Sequence, residues 1–145
     1  YKNTKLNIDL NIINNTKLKI PSMKDIELAI LDVLKEKGFD INCEIDIRIV
    51  EKDEIQALNK KYRHLDKPTD VLSFPQFDKP LKKSDETILL GDIIICPSFR
   101  AIYPELCRGK SRNNSDDILF LIKHSTLHLL AFHHNNKKLK QNSAG

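Results

Sequence analysis

Ile88-Leu89-Leu90-Gly91-Asp92-Ile93-Ile94-Ile95-Cys96 is apolar everywhere except at Gly91 and Asp92, and Pro97 closes it. The run is too short for a core helix, is rich in β-branched residues and shows no polar alternation. Those features predict a central strand covered on both faces. A strand of that kind needs a sheet on either side of it and helices above and below.

The flanking sequence supplies both. Leu6 to Ile13 alternates apolar with polar residues and predicts a strand with one buried face, broken at Asn14-Asn15. From Pro21 to Lys37, Ile26, Ala29, Ile30, Val33 and Leu34 recur at helical spacing, with Ser22 placed to cap the start and Gly38 to stop the end. Cys43 to Val50 sets Ile45, Ile47 and Ile49 on one side and Glu44, Asp46 and Arg48 on the other, which predicts a second half-buried strand. Asp53 to Tyr62 reads as a short helix facing inward with Ile55 and Leu58 and with Tyr62 as a further candidate, and Asp70 to Phe74 as a short strand ended by Pro75. The polar stretch Gln76 to Thr87 reads as a surface loop. Pro97 can start a helix that runs toward Leu106 unless Pro104 ends it, Arg108 to Asn114 is loop-like, and Asp116 to about Leu130 is the final helix. The polar residues from Asn135 to Gly145 are expected to be loose. Strands and helices interleave through short connections, so the expected fold is α+β: one small domain over residues 1–145, with a mixed sheet packed by helices.

Composition narrows the classes. At 145 residues, 40% hydrophobic and 30% charged, the chain can bury a core without disulfides. Cys43, Cys96 and Cys107 are odd in number and form no C-x-x-C pair, which argues against a thiolate zinc site and a disulfide framework and fits reduced thiols in the cytoplasm. No continuous apolar run reaches membrane length, so no membrane partner is expected. The formal charge of +4 is compatible with a polyanion. Basic residues gather at Lys60, Lys61 and Arg63 and again at Lys137, Lys138 and Lys140, patches that either bind phosphate or simply face water.

The final helix carries the residues with the clearest chemistry: Lys123-His124-Ser125-Thr126-Leu127-His128-Leu129-Leu130-Ala131-Phe132-His133-His134. His124 and His128 fall on one helix face with Cβ atoms about 6 Å apart, a spacing that suits two imidazoles on one ion. His134 reaches the same ion only if the helix ends and the chain turns back. Three imidazoles with an open fourth position describe a catalytic zinc, whereas a structural zinc is closed by four protein ligands. The competing reading is that the histidines merely decorate the end of an apolar helix. No glutamate follows His124, so the H-E-x-x-H base of zinc proteases is missing.

Arg63-His64-Leu65-Asp66-Lys67-Pro68-Thr69-Asp70-Val71-Leu72-Ser73-Phe74-Pro75 feeds a Pro-Thr-Asp turn straight into a strand, as a loop held beside a site would. With Leu58-Asn59 and Tyr62-Arg63 before it, Leu90-Gly91-Asp92-Ile93 after it, and H-x-x-x-H-L-L-x-x-x-H at the end, the chain resembles the YbeY family of rRNA-processing metallo-endoribonucleases. The matching motifs run in order from Leu58 to His134. The resemblance implies one zinc ion per chain held by His124, His128 and His134, with the site on the last helix and the turn after it. It also implies cleavage of single-stranded RNA in 16S rRNA 3′-end maturation and ribosome quality control, ribosomal RNA and the small subunit as partners, and a role in activity for Arg63. A guanidinium at Arg63 suits the charge that builds on phosphoryl oxygens; its plainer role is a surface pair with Asp66 or Asp70. The alternative function is a ribosome-assembly factor that binds RNA or protein and uses the metal structurally or not at all. The chain departs from the family pattern at Ser125 and Ala131, where glycine is usual, at His133, where aspartate is usual, and in its short lysine-rich tail.

Overall fold

A computed structural model describes residues 7–39, 42–75, 87–102 and 114–144, with the side chains of 101–102, 114 and 132–144 outside that description. Four strands, β1 (Ile8–Asn14), β2 (Asn42–Ile49), β3 (Val71–Pro75) and β4 (Thr87–Ile95), form one sheet in the order β1-β2-β4-β3. β1 and β2 are parallel, β2 and β4 are parallel, and β3 runs antiparallel to β4, so the sheet is mixed. Among the described residues four helices accompany it: α1 (Met23–Glu36), α2 (Lys52–Arg63), α3 (Pro97–Ile102) and α4 (Asn114–Ala144). This is the α+β architecture expected from the sequence, and the apolar run from Ile88 lies, as expected, in an interior strand.

The local rules that form α1 are visible at both ends. Ser22 Oγ accepts from the Asp25 amide at 3.1 Å, and Gly38 takes φ +75° so that the Phe39 amide returns to the Leu34 carbonyl at 2.8 Å. A cap contributes about 1 kcal/mol. Burial of Ile26, Ile30, Val33 and Leu34, each 3% exposed or less, contributes about 1.5–3 kcal/mol per side chain. Packing therefore holds the helix, and the caps set where it begins and ends.

α1 and α4 cover one sheet face, where Ile45, Ile47, Ile49, Leu90, Ile93 and Ile95 meet Ile30, Leu34, Ile118, Ile122 and Leu129. A smaller cluster of Val50, Ile55, Leu72, Ile94, Cys96 and Phe99 lies on the other face beneath α2. Strict alternation along β4 would not put Leu90 in the same cluster as Ile93 and Ile95. A bulge resolves this: Glu44 pairs with Leu89 and Ile45 with Gly91, leaving Leu90 as the extra residue. Gly91 then adopts φ +143°, and a Cβ there would overlap the Phe74 carbonyl oxygen on β3. Glycine is needed for close approach of the two backbones.

The structure corrects the end of the chain. The last helix runs from Asn114 to Ala144 rather than stopping near Leu130, and the stretch from Asn135 is helical through Ala144 rather than loose. Between Leu130 and Ala144 the sequence has neither proline nor glycine and several good helix formers, so nothing local stops the helix. The helix from Pro97 is described only to Ile102, and the expected loops Gln76 to Thr87 and Arg108 to Asn114 lie outside the described residues except at their last residues, where Thr87 begins β4 and Asn114 begins α4.

Candidate metal centre

His124 and His128 stand one turn apart on α4 with Nε2 atoms 3.0 Å apart. Their ring centroids are 4.5 Å apart and the planes nearly perpendicular at 84°. His124 is half-buried and His128 exposed, so the pair lies at the lip of the core. The pair opens onto a groove of about 570 Å³ lined by Lys37, Phe39, Leu127, Leu130 and Ala131. Phe120, one turn before His124, lies parallel to it at 6.1 Å and 8°. Two imidazole nitrogens on a tetrahedral zinc at about 2.0–2.1 Å are about 3.3 Å apart. The observed separation is close to that, so the donor set fits a zinc ion as far as these two ligands go.

The side chains of His133 and His134 lie outside those described, and among the described residues no third ligand joins the pair. The backbone of α4 continues as helix past His134.

The expected arginine, Arg63, is the last residue of α2 and is exposed. Neither acidic neighbour claims it: Asp66 pairs with Lys60 at 3.9 Å and accepts from Gln56 at 3.1 Å, while Asp70 pairs with Arg100 at 3.3 Å. α2 and α4 pack on opposite faces of the sheet, so the guanidinium and the histidine pair are carried by different layers. The loop that follows is firmly held. His64 takes the left-handed conformation at φ +62° and ends α2, and buried Asn59 donates from Nδ2 to the Lys67 carbonyl at 2.9 Å. Asp92 lines a groove with Asn11, Asp46 and Arg48.

Comparison with known proteins places these motifs. A family model described as Endoribonuclease YbeY matches residues 10–143. The chain belongs to the YbeY family. Among its curated relatives, the Endoribonuclease YbeY of Francisella tularensis subsp. novicida (strain U112) is 34% identical over 132 residues, covering 90% of this chain and 78% of the relative. That of Francisella tularensis subsp. mediasiatica (strain FSC147) is 35% identical over 130 residues, covering 88% and 77%. The solution structure of a Thermotoga maritima protein aligns with 88% of this chain and 93% of its own at 18% identity and a TM-score of 0.39.

Within the YbeY scaffold, one feature escaped the sequence reading. Arg100 is fully buried and reaches two carboxylates, Asp70 Oδ2 at 3.3 Å and Asp117 Oδ1 at 3.2 Å, with its guanidinium carbon 5.2 Å from the Phe120 ring. It ties the Pro-Thr-Asp turn, α3 and the start of α4 together and lies behind the aromatic ring that flanks His124. A lone arginine in Pro97-Ser98-Phe99-Arg100 carries no periodic signal; only its sequence context among apolar residues hints at burial. Cys43 and Cys96 are buried and free, and burial pushes both thiols up, Cys43 to about 12. Neither is a thiolate near neutral pH, so neither is a ready nucleophile or metal ligand.

Proposed function

We propose that this chain is a zinc-dependent, single-strand-specific endoribonuclease that acts in 16S rRNA 3′-end maturation and ribosome quality control, with ribosomal RNA and the small subunit as its partners in the cytoplasm. The observation that carries the reading is the convergence of His124 Nε2 and His128 Nε2 to 3.0 Å beside an open groove, in a chain of the YbeY family. Membership of that family, and its Francisella relatives being endoribonucleases by name, support the ribonuclease assignment.

His124, His128 and His134 would hold the ion, leaving one position open. When bound, such an ion supplies Lewis-acid activation of water near neutral pH. The protein's own groups do the rest. Phe120, parallel to the His124 ring at 6.1 Å, would help to orient the first donor. Arg63, exposed and not paired with Asp66 or Asp70, offers a planar fork of donors to phosphoryl oxygens. Ser125 occupies the position of the glutamate in zinc proteases and is buried, which removes that route to peptide hydrolysis.

The test is zinc content and cleavage of an unstructured RNA by the wild type, His128→Ala and Arg63→Glu. One zinc per chain, cleavage by the wild type and loss of cleavage in both folded variants support the enzyme. Absence of bound zinc and of cleavage, with RNA binding retained, would overturn it in favour of an assembly factor.

A further inference from the structure

Tyr62 is 55% exposed although it continues the inward stripe of α2 one turn after Leu58. Its ring leans on Phe74 at 5.2 Å and 60°, and Phe74 is itself half-buried against the second core cluster. The close β3–β4 approach at Gly91 holds the Phe74 backbone in place. The Lys61 ammonium sits 5.1 Å from the Tyr62 ring centre, and the next residue in the chain, Arg63, is exposed. The result is an exposed ring braced by Phe74 and partly covered by one displaceable ammonium.

Each element of that arrangement matches what an unpaired nucleotide requires. A base stacks on an aromatic face whatever its sequence, while cations beside the ring hold the backbone phosphates. A protein partner would want more apolar area than Tyr62 and Leu65 expose here, and would gain little from the neighbouring Lys61 and Arg63 charges. We propose that Tyr62, braced by Phe74, is a stacking platform for one unpaired base of the RNA, with Lys61 and Arg63 holding the flanking phosphates. The contact of an exposed ammonium with a ring is weaker than base stacking, so the base displaces Lys61, whose flexible stem carries the charge over to a phosphate. This inference rests on the reading above that single-stranded RNA is the substrate.

Fluorescence anisotropy of the full chain with a labelled 2′-O-methyl oligouridine, which resists cleavage, measures the platform apart from catalysis. An abasic oligomer of equal length reports the phosphate contacts alone. Tyr62→Ala is expected to weaken binding of the base-carrying oligomer roughly 5- to 100-fold and leave the abasic one unchanged, while Tyr62→Phe stays within about twofold of wild type. The sequence has no tryptophan, so Tyr62→Trp supplies a unique reporter whose emission should be quenched as the oligouridine binds. Equal binding of the base-carrying oligomer by wild type and Tyr62→Ala, equal losses on both oligomers, or unquenched emission in Tyr62→Trp would each overturn the platform. If the wild type binds and cleaves RNA while Tyr62→Ala is silent, the platform alone falls. If the wild type neither binds nor cleaves RNA, the substrate reading falls with it.

Discussion

Arg100 Nε stands 3.2 Å from Asp117 Oδ1, and both side chains are out of reach of solvent. Asp70 completes the cluster from the turn before β3 and is partly exposed. A buried ion pair adds little net stability against a well-packed apolar replacement, but removing one partner strands the other. Arg100→Met is therefore expected to cost about 3–5 kcal/mol in urea unfolding. Arg100→Met combined with Asp117→Leu should recover part of that loss. A loss below about 1 kcal/mol for Arg100→Met would show that the pair does not hold α4 to the turn.

Gly91 meets β3 closely enough that any side chain there strikes the Phe74 carbonyl oxygen and crowds Pro75 Cα at 3.0 Å. Neither atom can retreat without loosening the β3–β4 ladder, where Phe74 pairs with Asp92 and Pro75 with Gly91. The φ of +143° adds backbone strain for an L-residue. Gly91→Ala is expected to destabilise by about 3 kcal/mol or more, from overpacking and strain together. Unfolding midpoints equal to wild type would mean that the bulge relaxes freely.

Ser125 presents the opposite case. Its hydroxyl is fully buried, and Ser125 Oγ has no hydrogen-bond partner among the described residues. An orphaned buried polar group costs about 1–3 kcal/mol, and alanine is the better helix former. Ser125→Ala should raise stability by about 1 kcal/mol, read as an upward shift in melting temperature. The adjacent Thr126 donates to the Ile122 carbonyl at 2.7 Å, so Thr126→Val should bring no such gain. A fall in melting temperature for Ser125→Ala would indicate a bond to the hydroxyl.

What the sequence makes legible follows from short-range physics. Alternation in β2, the helical stripe of α1 with Ser22 and Gly38 at its ends, and the apolar run of β4 are local patterns, and each led to the observed element. The His124–His128 pair is equally local, because one helical turn decides it. Sheet order, the bulge at Leu90 and the Arg100 cluster depend on residues far apart in the chain, such as Asp70 and Asp117, and have no period to read. The end of α4 lies beyond the expected stop near Leu130 because the intrinsic helix preferences of the following residues outweigh the histidine spacing that argues for a stop.

Cys43 lies wholly inside the core, and burial first, then the charge of Asp9, pushes its thiol up from 9.0 to about 12. Between these values the unfolded chain releases a proton that the folded chain keeps, so the unfolded state binds fewer protons and stability falls as pH rises. The contribution is complete below about pH 9 and is lost progressively toward pH 12. Cys43→Val should flatten the decline of unfolding free energy above pH 9, measured by urea titration at stepped pH. An identical slope in wild type and variant would assign the alkaline sensitivity to other groups.

The continuation of α4 bears directly on the proposed part of His134 in zinc binding. In an unbroken helix the backbone of His134 lies about 9 Å farther along the axis than that of His128 and about 120° around it, too far for a shared ion. Joining His124 and His128 thus requires the helix to open after Ala131, at the position where the YbeY pattern usually has glycine. Glycine makes such an interruption easier by about 1 kcal/mol relative to alanine. Ala131→Gly should therefore tighten zinc binding roughly fivefold in competition with a chromophoric chelator. His134→Ala should weaken it, and zinc should reduce the helical ellipticity of the wild type. If His134→Ala binds zinc as tightly as wild type and Ala131→Gly changes nothing, the ion is held without the third histidine and the helix has no need to open.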